Sequence, residues 1–92
     1  MEIKINYTNA KSKEEAYHAV KSAITPEMLA KWQVKAKLEY GTDTIVASGS
    51  GFNLGIDFKD DHCVIKIKLN LLLKPLQNKI AQGIEKQFER VI

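Results

Sequence analysis

The chain has few of the residues that build disulfides, membrane spans or secretion signals. Its 92 residues include one cysteine, Cys63, which excludes an intramolecular disulfide and is compatible with a reducing cytoplasm. No apolar run approaches the roughly 18 residues of a membrane-spanning helix, and residues 1–4 lack the apolar core of a secretion signal. We therefore expect one small cytoplasmic domain spanning residues 1–92, without a transmembrane segment.

Arginine is also scarce, and this bears on the partners that a basic protein can take. The net charge is +3, but Arg90 is the only arginine and lysine supplies the rest. The strand lysines share their predicted face with acidic residues, and that face lacks aromatic side chains on which bases could stack. Because base readout and bidentate phosphate contacts favour arginine, nucleic acid is not the partner that we expect.

No group of residues predicts catalysis, a metal site or a cofactor. Asp60, Asp61 and His62 form one acidic and histidine-containing cluster, but they lie together on a single predicted hairpin turn with no second ligand motif. His62 and Cys63 cannot act as a pair, since neighbours in an extended strand point to opposite faces. We therefore expect a non-enzymatic protein with no metal and no cofactor.

The segment 52–71 predicts a β-hairpin with one buried face. Apolar residues alternate with polar ones on both sides of Asp60-Asp61, which indicates two strands joined by a two-residue turn. That turn pairs Phe58 with Cys63 and Phe52 with Leu69, so that apolar residues meet on one face. A slip of one residue would turn this set toward water, and the register is therefore strongly determined.

The alternation continues upstream and predicts two further strands. The residues of the inward phase are Val34, Ala36, Leu38, Tyr40, Ile45 and Ala47. Gly41-Thr42 is predicted to form a type II′ turn with glycine at positive φ, and Gly49-Ser50 a second turn that places Phe52 opposite Ala47. Residues 34–71 thus form a predicted four-stranded antiparallel meander.

Helical segments are predicted at both ends of the meander. Leu73, Leu76, Ile80, Ile84, Phe88 and Val91 recur at three- and four-residue steps, typical of a long amphipathic helix that covers the sheet, with Pro75 in its first turn. Near the other end, a short strand over residues 2–7 precedes a helix that Ser12 and Glu15 cap. Thr25-Pro26 predicts a break and a second short helix to about Trp32. The fold class is α+β, in the order β-α-(α)-β-β-β-β-α.

The second half of the chain resembles a known family. The run from Gly55-Ile56-Asp57 through Ile65-Lys66-Ile67, then Leu72-Leu73-Lys74-Pro75-Leu76 and Ile84-Glu85, is similar to the polyhydroxyalkanoic acid system family of small bacterial proteins. The short first strand and the capped helix extend the resemblance to the N-terminal part. The resemblance implies an accessory role near polyester storage granules and supplies no catalytic residues.

The layout also resembles the helix-grip fold of START-like ligand-binding proteins, in which a long C-terminal helix crosses a curved antiparallel sheet. That analogy concerns the fold alone. It implies that the first strand pairs with the last, giving about five strands in the order 1-5-4-3-2.

Three functions follow from these observations and the resemblance. The first is a non-enzymatic accessory protein that acts at an apolar surface, such as a polyester granule or its proteins, through the C-terminal helix and its apolar end at Val91 and Ile92. The second is a binder of small hydrophobic molecules, with a pocket between helix and sheet near Trp32, Phe52, Phe58, Ile84 and Phe88, unless those side chains fill the gap themselves. The third is a homodimeric interaction module that pairs through the edge strand around residues 34–40, although Lys35 and Lys37 are typical of edge protection.

Overall fold

In a computed structural model, residues 1–25, 27, 30, 36–49 and 51–92 are described. They form five strands and two helices: β1 (Glu2–Asn6), α1 (Lys13–Ala23), β2 (Lys37–Tyr40), β3 (Thr44–Gly49), β4 (Phe52–Phe58), β5 (His62–Leu69) and α2 (Gln77–Val91), with a 3₁₀ turn at Lys74–Leu76 before α2. The five strands form one antiparallel sheet in the order β1-β5-β4-β3-β2. The predicted α+β class and strand order are confirmed. Val34 lies outside the described residues, as does most of the predicted second short helix.

The β4–β5 hairpin has the predicted register. Phe58 pairs with Cys63 and Phe52 with Leu69, and Lys59 donates its N–H to the carbonyl of His62 across the two-residue turn (2.8 Å). All apolar side chains of the hairpin except Val64 therefore lie on one face. Strand β1 adds to the outer side of β5, with Ile3 opposite Ile65 and Ile5 opposite Cys63.

Two predicted turns are each displaced by one residue. The β2–β3 ladder ends with Tyr40 opposite Ile45, and Gly41 follows it. The N–H of Gly41 donates to the carbonyl of Thr44 (2.7 Å), so that the turn consists of Thr42 and Asp43. Gly41 does not have the positive φ that we predicted. The prediction placed glycine inside the turn because of its conformational freedom. Both registers keep Ile45 on the inward face, opposite Leu38 in the predicted one and opposite Tyr40 in the observed one, so the alternation does not distinguish them.

The β3–β4 reversal shifts in the same way. Gly49 pairs with Phe52, so Ala47 faces Leu54 and not Phe52 as predicted. The glycine at positive φ is Gly51, at 74°. A Cβ atom at this position would overlap the side-chain amide of Asn70. The backbone N–H of Asn70 donates to the Gly51 carbonyl (2.8 Å). Glycine is therefore required at position 51 for two reasons: the backbone is left-handed, and the Asn70 side chain occupies the space of a Cβ atom.

Both helices cover the same face of the sheet. Ser12 caps α1 by accepting the N–H of Glu15 (3.1 Å), as predicted. Tyr17 packs edge-on against Phe58, with ring centroids 5.5 Å apart. One cluster of buried residues joins helices and sheet, namely Ile5, Ala16, Val20, Ile24, Ile45, Ala47, Phe52, Leu54, Ile56, Phe58, Cys63, Ile65, Ile67, Ile80, Ala81, Ile84, Phe88 and Ile92.

Two described residues of the predicted inward phase are exposed. Tyr40, at the end of edge strand β2, is 43% exposed, and the ammonium group of Lys21 lies 4.9 Å above its ring. Leu71 is 83% exposed because β5 ends at Leu69 and the chain then turns toward α2. The alternation in the sequence continued past the point where the strand ended.

Gly51, in the turn before β4, and Gly55, within β4, allow a direct test of the requirement for glycine at position 51. We expect Gly51→Ala to lower the free energy of unfolding by about 1 to 3 kcal/mol, because alanine is strained at positive φ and would displace Asn70. Gly55→Ala is the matched control, since a Cβ there meets nothing within 4 Å and the strand gains from losing a glycine. The urea unfolding midpoints of the two variants measure this difference, and equal midpoints would contradict the requirement for glycine at position 51.

Candidate functional site

The residues predicted to line a ligand pocket lie in the core. Phe52, Phe58, Ile84 and Phe88 are at most 3% exposed and belong to the buried cluster between the sheet and α2. The structure thus brings these four together, as side chains that pack on one another. Trp32 lies outside the described residues, and a ligand-binding role for this set stays a prediction.

The apolar end of the chain is held inside the molecule. Ile92 is fully buried, and its carbonyl oxygen accepts backbone N–H groups of Thr8, Asn9 and Ala10 at 2.7 to 2.9 Å. The loop between β1 and α1 therefore caps the end of α2. Val91 is half-buried against the core. In this conformation Ile92 offers no surface to a partner, and a surface-binding role for Val91 and Ile92 stays a prediction.

Leu71 and Leu72, in the turn between β5 and α2, are the exposed apolar pair. Their side chains are 83% and 86% exposed, the highest fractions of any large hydrophobic residue in the described chain. Sequence reasoning missed this role by assigning Leu71 to the inward phase. The signal was present, because three consecutive leucines fit neither a period of two nor a helical stripe.

Asn70 fixes the conformation of this turn. Its side-chain Oδ1 accepts the N–H of Leu73 (3.1 Å), and its carbonyl accepts the N–H of Lys74 (3.0 Å). Its own N–H is bound to Gly51 in the neighbouring β3–β4 reversal. The two leucines are therefore presented on a hydrogen-bonded turn that is joined to the sheet. Lys68 and Lys74, one on each side of the pair, are exposed.

In the acidic and histidine-containing cluster at the β4–β5 turn, His62 and Asp61 are hydrogen-bonded to each other. His62 Nδ1 lies 2.6 Å from Asp61 Oδ1, and this hydrogen bond lowers the pKa of the exposed Asp61 carboxyl. The Tyr7 hydroxyl donates to the carbonyl of Lys59 (2.8 Å), and burial raises the pKa of that phenol. Within the described part of the chain, no three histidine, cysteine or acidic side chains converge to hold a metal ion.

Cys63 lies beneath this turn with a fully buried thiol. Burial disfavours the thiolate and raises the pKa of Cys63 to about 11, from an ordinary value near 9.0. At neutral pH the group is therefore a protonated thiol with little nucleophilic character.

These features define a class of protein: a small α+β sheet-and-helix protein with a continuous buried core and an exposed apolar turn at one end of its sheet. Within the described ranges, no helix has both the length and the apolarity needed to cross a membrane.

The chain belongs to the family described as "Putative polyhydroxyalkanoic acid system protein", whose model matches residues 3–92. The resemblance seen in the sequence is thereby confirmed over nearly the whole chain, and the family name links the protein to the polyhydroxyalkanoic acid system. Comparisons with curated proteins and with solved structures found no match.

The burial of Ile92 generates a stability prediction. We expect Ile92→Ser to lower the free energy of unfolding by about 2 to 4 kcal/mol, since it removes buried apolar volume and places a hydroxyl in the core. Val91→Ser, at a half-buried site, is the matched control and should cost about 1 kcal/mol or less. Thermal melts of both variants measure this, and an unchanged Ile92→Ser melting temperature would mean that the residue lies at the surface.

The raised pKa of Cys63 generates a pH prediction. The folded state holds the thiol proton more tightly than the unfolded state, so this contribution to stability is complete below about pH 9 and is lost as pH rises through about 11. Its full size is about 2 to 3 kcal/mol. Urea unfolding from pH 8 to 11 should show a steeper loss of stability in the wild type than in Cys63→Ala, and equal slopes would contradict the prediction.

Proposed function

We propose that the protein is a non-enzymatic, cytoplasmic accessory protein of the polyhydroxyalkanoic acid system that docks on the apolar surface of polyester granules. The exposed Leu71–Leu72 pair on its hydrogen-bonded turn carries the proposal. The family membership supports the choice of polyester as the apolar phase, since it names the system in which the protein takes part.

Exposing these two leucines to water is unfavourable in free energy, which favours a functional role for them. Soluble proteins tolerate single exposed apolar side chains, but two adjacent leucines with more than four-fifths of their surface in water form a local apolar projection. Burying one leucine is favourable by about 1.5 to 3 kcal/mol. Insertion of both into an apolar phase supplies enough free energy for reversible adsorption.

The rigidity of the turn favours docking further. A turn that Asn70 already orders loses little conformational entropy when it contacts a surface. The lysines on either side keep their charged heads in water while their aliphatic stems lie along an apolar boundary. Docking through the turn leaves the core and both helices undisturbed.

The test is co-sedimentation of the purified protein with amorphous polyhydroxyalkanoate granules at low and high salt. We expect saturable pelleting that persists at high salt, and at least roughly 30-fold weaker adsorption of the Leu71→Ser, Leu72→Ser double variant, because each leucine contributes about 1 kcal/mol or more at a partly buried contact. The melting temperature should change little, since both side chains are exposed.

The matched control is Asn78→Ser with Gln82→Ser, which places two serines at exposed positions of α2. This variant should adsorb like the wild type. Pelleting that disappears at high salt would instead attribute adsorption to the lysines. Equal adsorption of the leucine variant and the wild type would refute docking through the turn.

A further inference from the structure

A groove of about 520 Å³ runs along the free side of β1. It is lined by β1 itself, by Thr8 and by Glu85 and Glu89 of α2. No described strand pairs with this side of β1, which forms one edge of the sheet. The groove thus has a strand edge as one wall and a helix as the other, and it is separate from the Leu71–Leu72 turn.

The strand edge in this groove has unpaired backbone groups. Met1 and Ile67 exchange two hydrogen bonds (2.8 and 3.1 Å), and the N–H of Tyr7 donates to Asp61 (3.1 Å). Residues of an antiparallel edge strand alternate in the direction of their hydrogen bonds. The odd-numbered residues therefore bond to β5, while the N–H and C=O groups of Glu2, Lys4 and Asn6 face the groove.

The helical wall carries negative charge that no described residue pairs with. Glu85 and Glu89 lie one turn apart on α2, and neither forms an ion pair with any of the described residues. Four residues of helix rise by about 6 Å. Alternate side chains on one face of a strand are separated by about 6.6 to 6.8 Å. An added strand can therefore place two successive same-face side chains opposite the two carboxylates.

We propose that this groove binds an extended basic segment of another protein, which adds to β1 as a sixth strand and directs alternate lysine or arginine side chains at Glu85 and Glu89. Backbone hydrogen bonds to Glu2, Lys4 and Asn6 supply the pairing, and the carboxylates select the charge. A second copy of this chain is disfavoured as the occupant, because two-fold pairing of β1 with β1 would bring four glutamates together. The third sequence hypothesis placed pairing at the opposite edge of the sheet.

Peptide titration followed by backbone amide NMR tests the proposal on the intact protein. The probe is a capped heptapeptide of alternating threonine and lysine. We expect saturable shifts at residues 2–8 and at the Glu85 turn of α2. A heptapeptide with glutamate in place of lysine should not bind. The lysine peptide N-methylated at alternate residues that face β1 should also fail, because it keeps the charge and lacks the donors.

Protein variants separate charge from strand pairing. Glu85→Gln with Glu89→Gln should weaken binding of the lysine peptide by roughly 5- to 30-fold, as expected for two partly exposed ion pairs. Glu14→Gln with Glu39→Gln makes the same charge change at exposed sites elsewhere and should leave binding unchanged. Lys4→Pro removes an N–H that faces the groove and spares the bonds to β5, so it should abolish binding while the sheet is retained.

Three results would overturn the proposal: no saturable shifts, shifts that map away from the groove, or equal binding of the lysine and glutamate peptides. Sedimentation of a dimer that Lys4→Pro converts to monomer would also overturn it, since the occupant would then be a second copy. The Leu71→Ser, Leu72→Ser variant should bind the peptide like the wild type, so failure of granule docking and failure of this proposal are distinguishable.

Discussion

The register of the β4–β5 hairpin is the constraint on which the rest of the structure depends. Pairing Phe58 with Cys63 and Phe52 with Leu69 places the apolar side chains of β4 and β5, apart from Val64, on one face. A sheet with such a face must be covered, and α1 and α2 both pack on it. The opposite face remains polar, with exposed lysines such as Lys66 and Lys68.

The ends of the described chain close this arrangement. Strand β1 extends the sheet beyond β5, and the loop that follows it binds the carbonyl of Ile92 through three N–H groups. The first strand and the last helix are thereby joined across the whole length of the chain. This closure leaves a groove between them, where the free edge of β1 faces Glu85 and Glu89.

The same organisation separates the side chains that stabilise the fold from the apolar side chains that are most exposed. Aromatic residues such as Phe58 and Phe88 are buried and hold the helices on the sheet. Of the large apolar side chains in the described ranges, the most exposed are those of Leu71 and Leu72, which lie in a turn where the strand has ended and the helix has not begun. Substitutions in the turn leave the buried core intact, whereas substitutions of Phe88 or Ile92 would disrupt it.

From the sequence alone, the fold class and the register of the β4–β5 hairpin could be predicted, because period-two alternation on either side of a two-residue turn at Asp60-Asp61 pairs apolar residues with apolar residues. The strand order was predicted from the resemblance to the helix-grip fold. The sequence also identified the Ser12 cap, which is a local interaction between residues three apart. Such features depend on near neighbours and on a repeating pattern, and both can be read from the residues alone.

Only the tertiary structure decided which apolar residues lie outside. Ile92 and Leu71 have similar hydrophobicity, yet one is fully buried and the other 83% exposed. Their difference arises from contacts between distant segments. The backbone N–H groups of residues 8–10 bind the carbonyl of Ile92 and hold it in the core, whereas Asn70, which is hydrogen-bonded to Gly51, turns the chain before Leu71. The turns at Thr42-Asp43 and Gly51 were also decided by the tertiary structure, because moving a turn by one residue shifts the pairing by two residues and leaves the apolar residues on the same face.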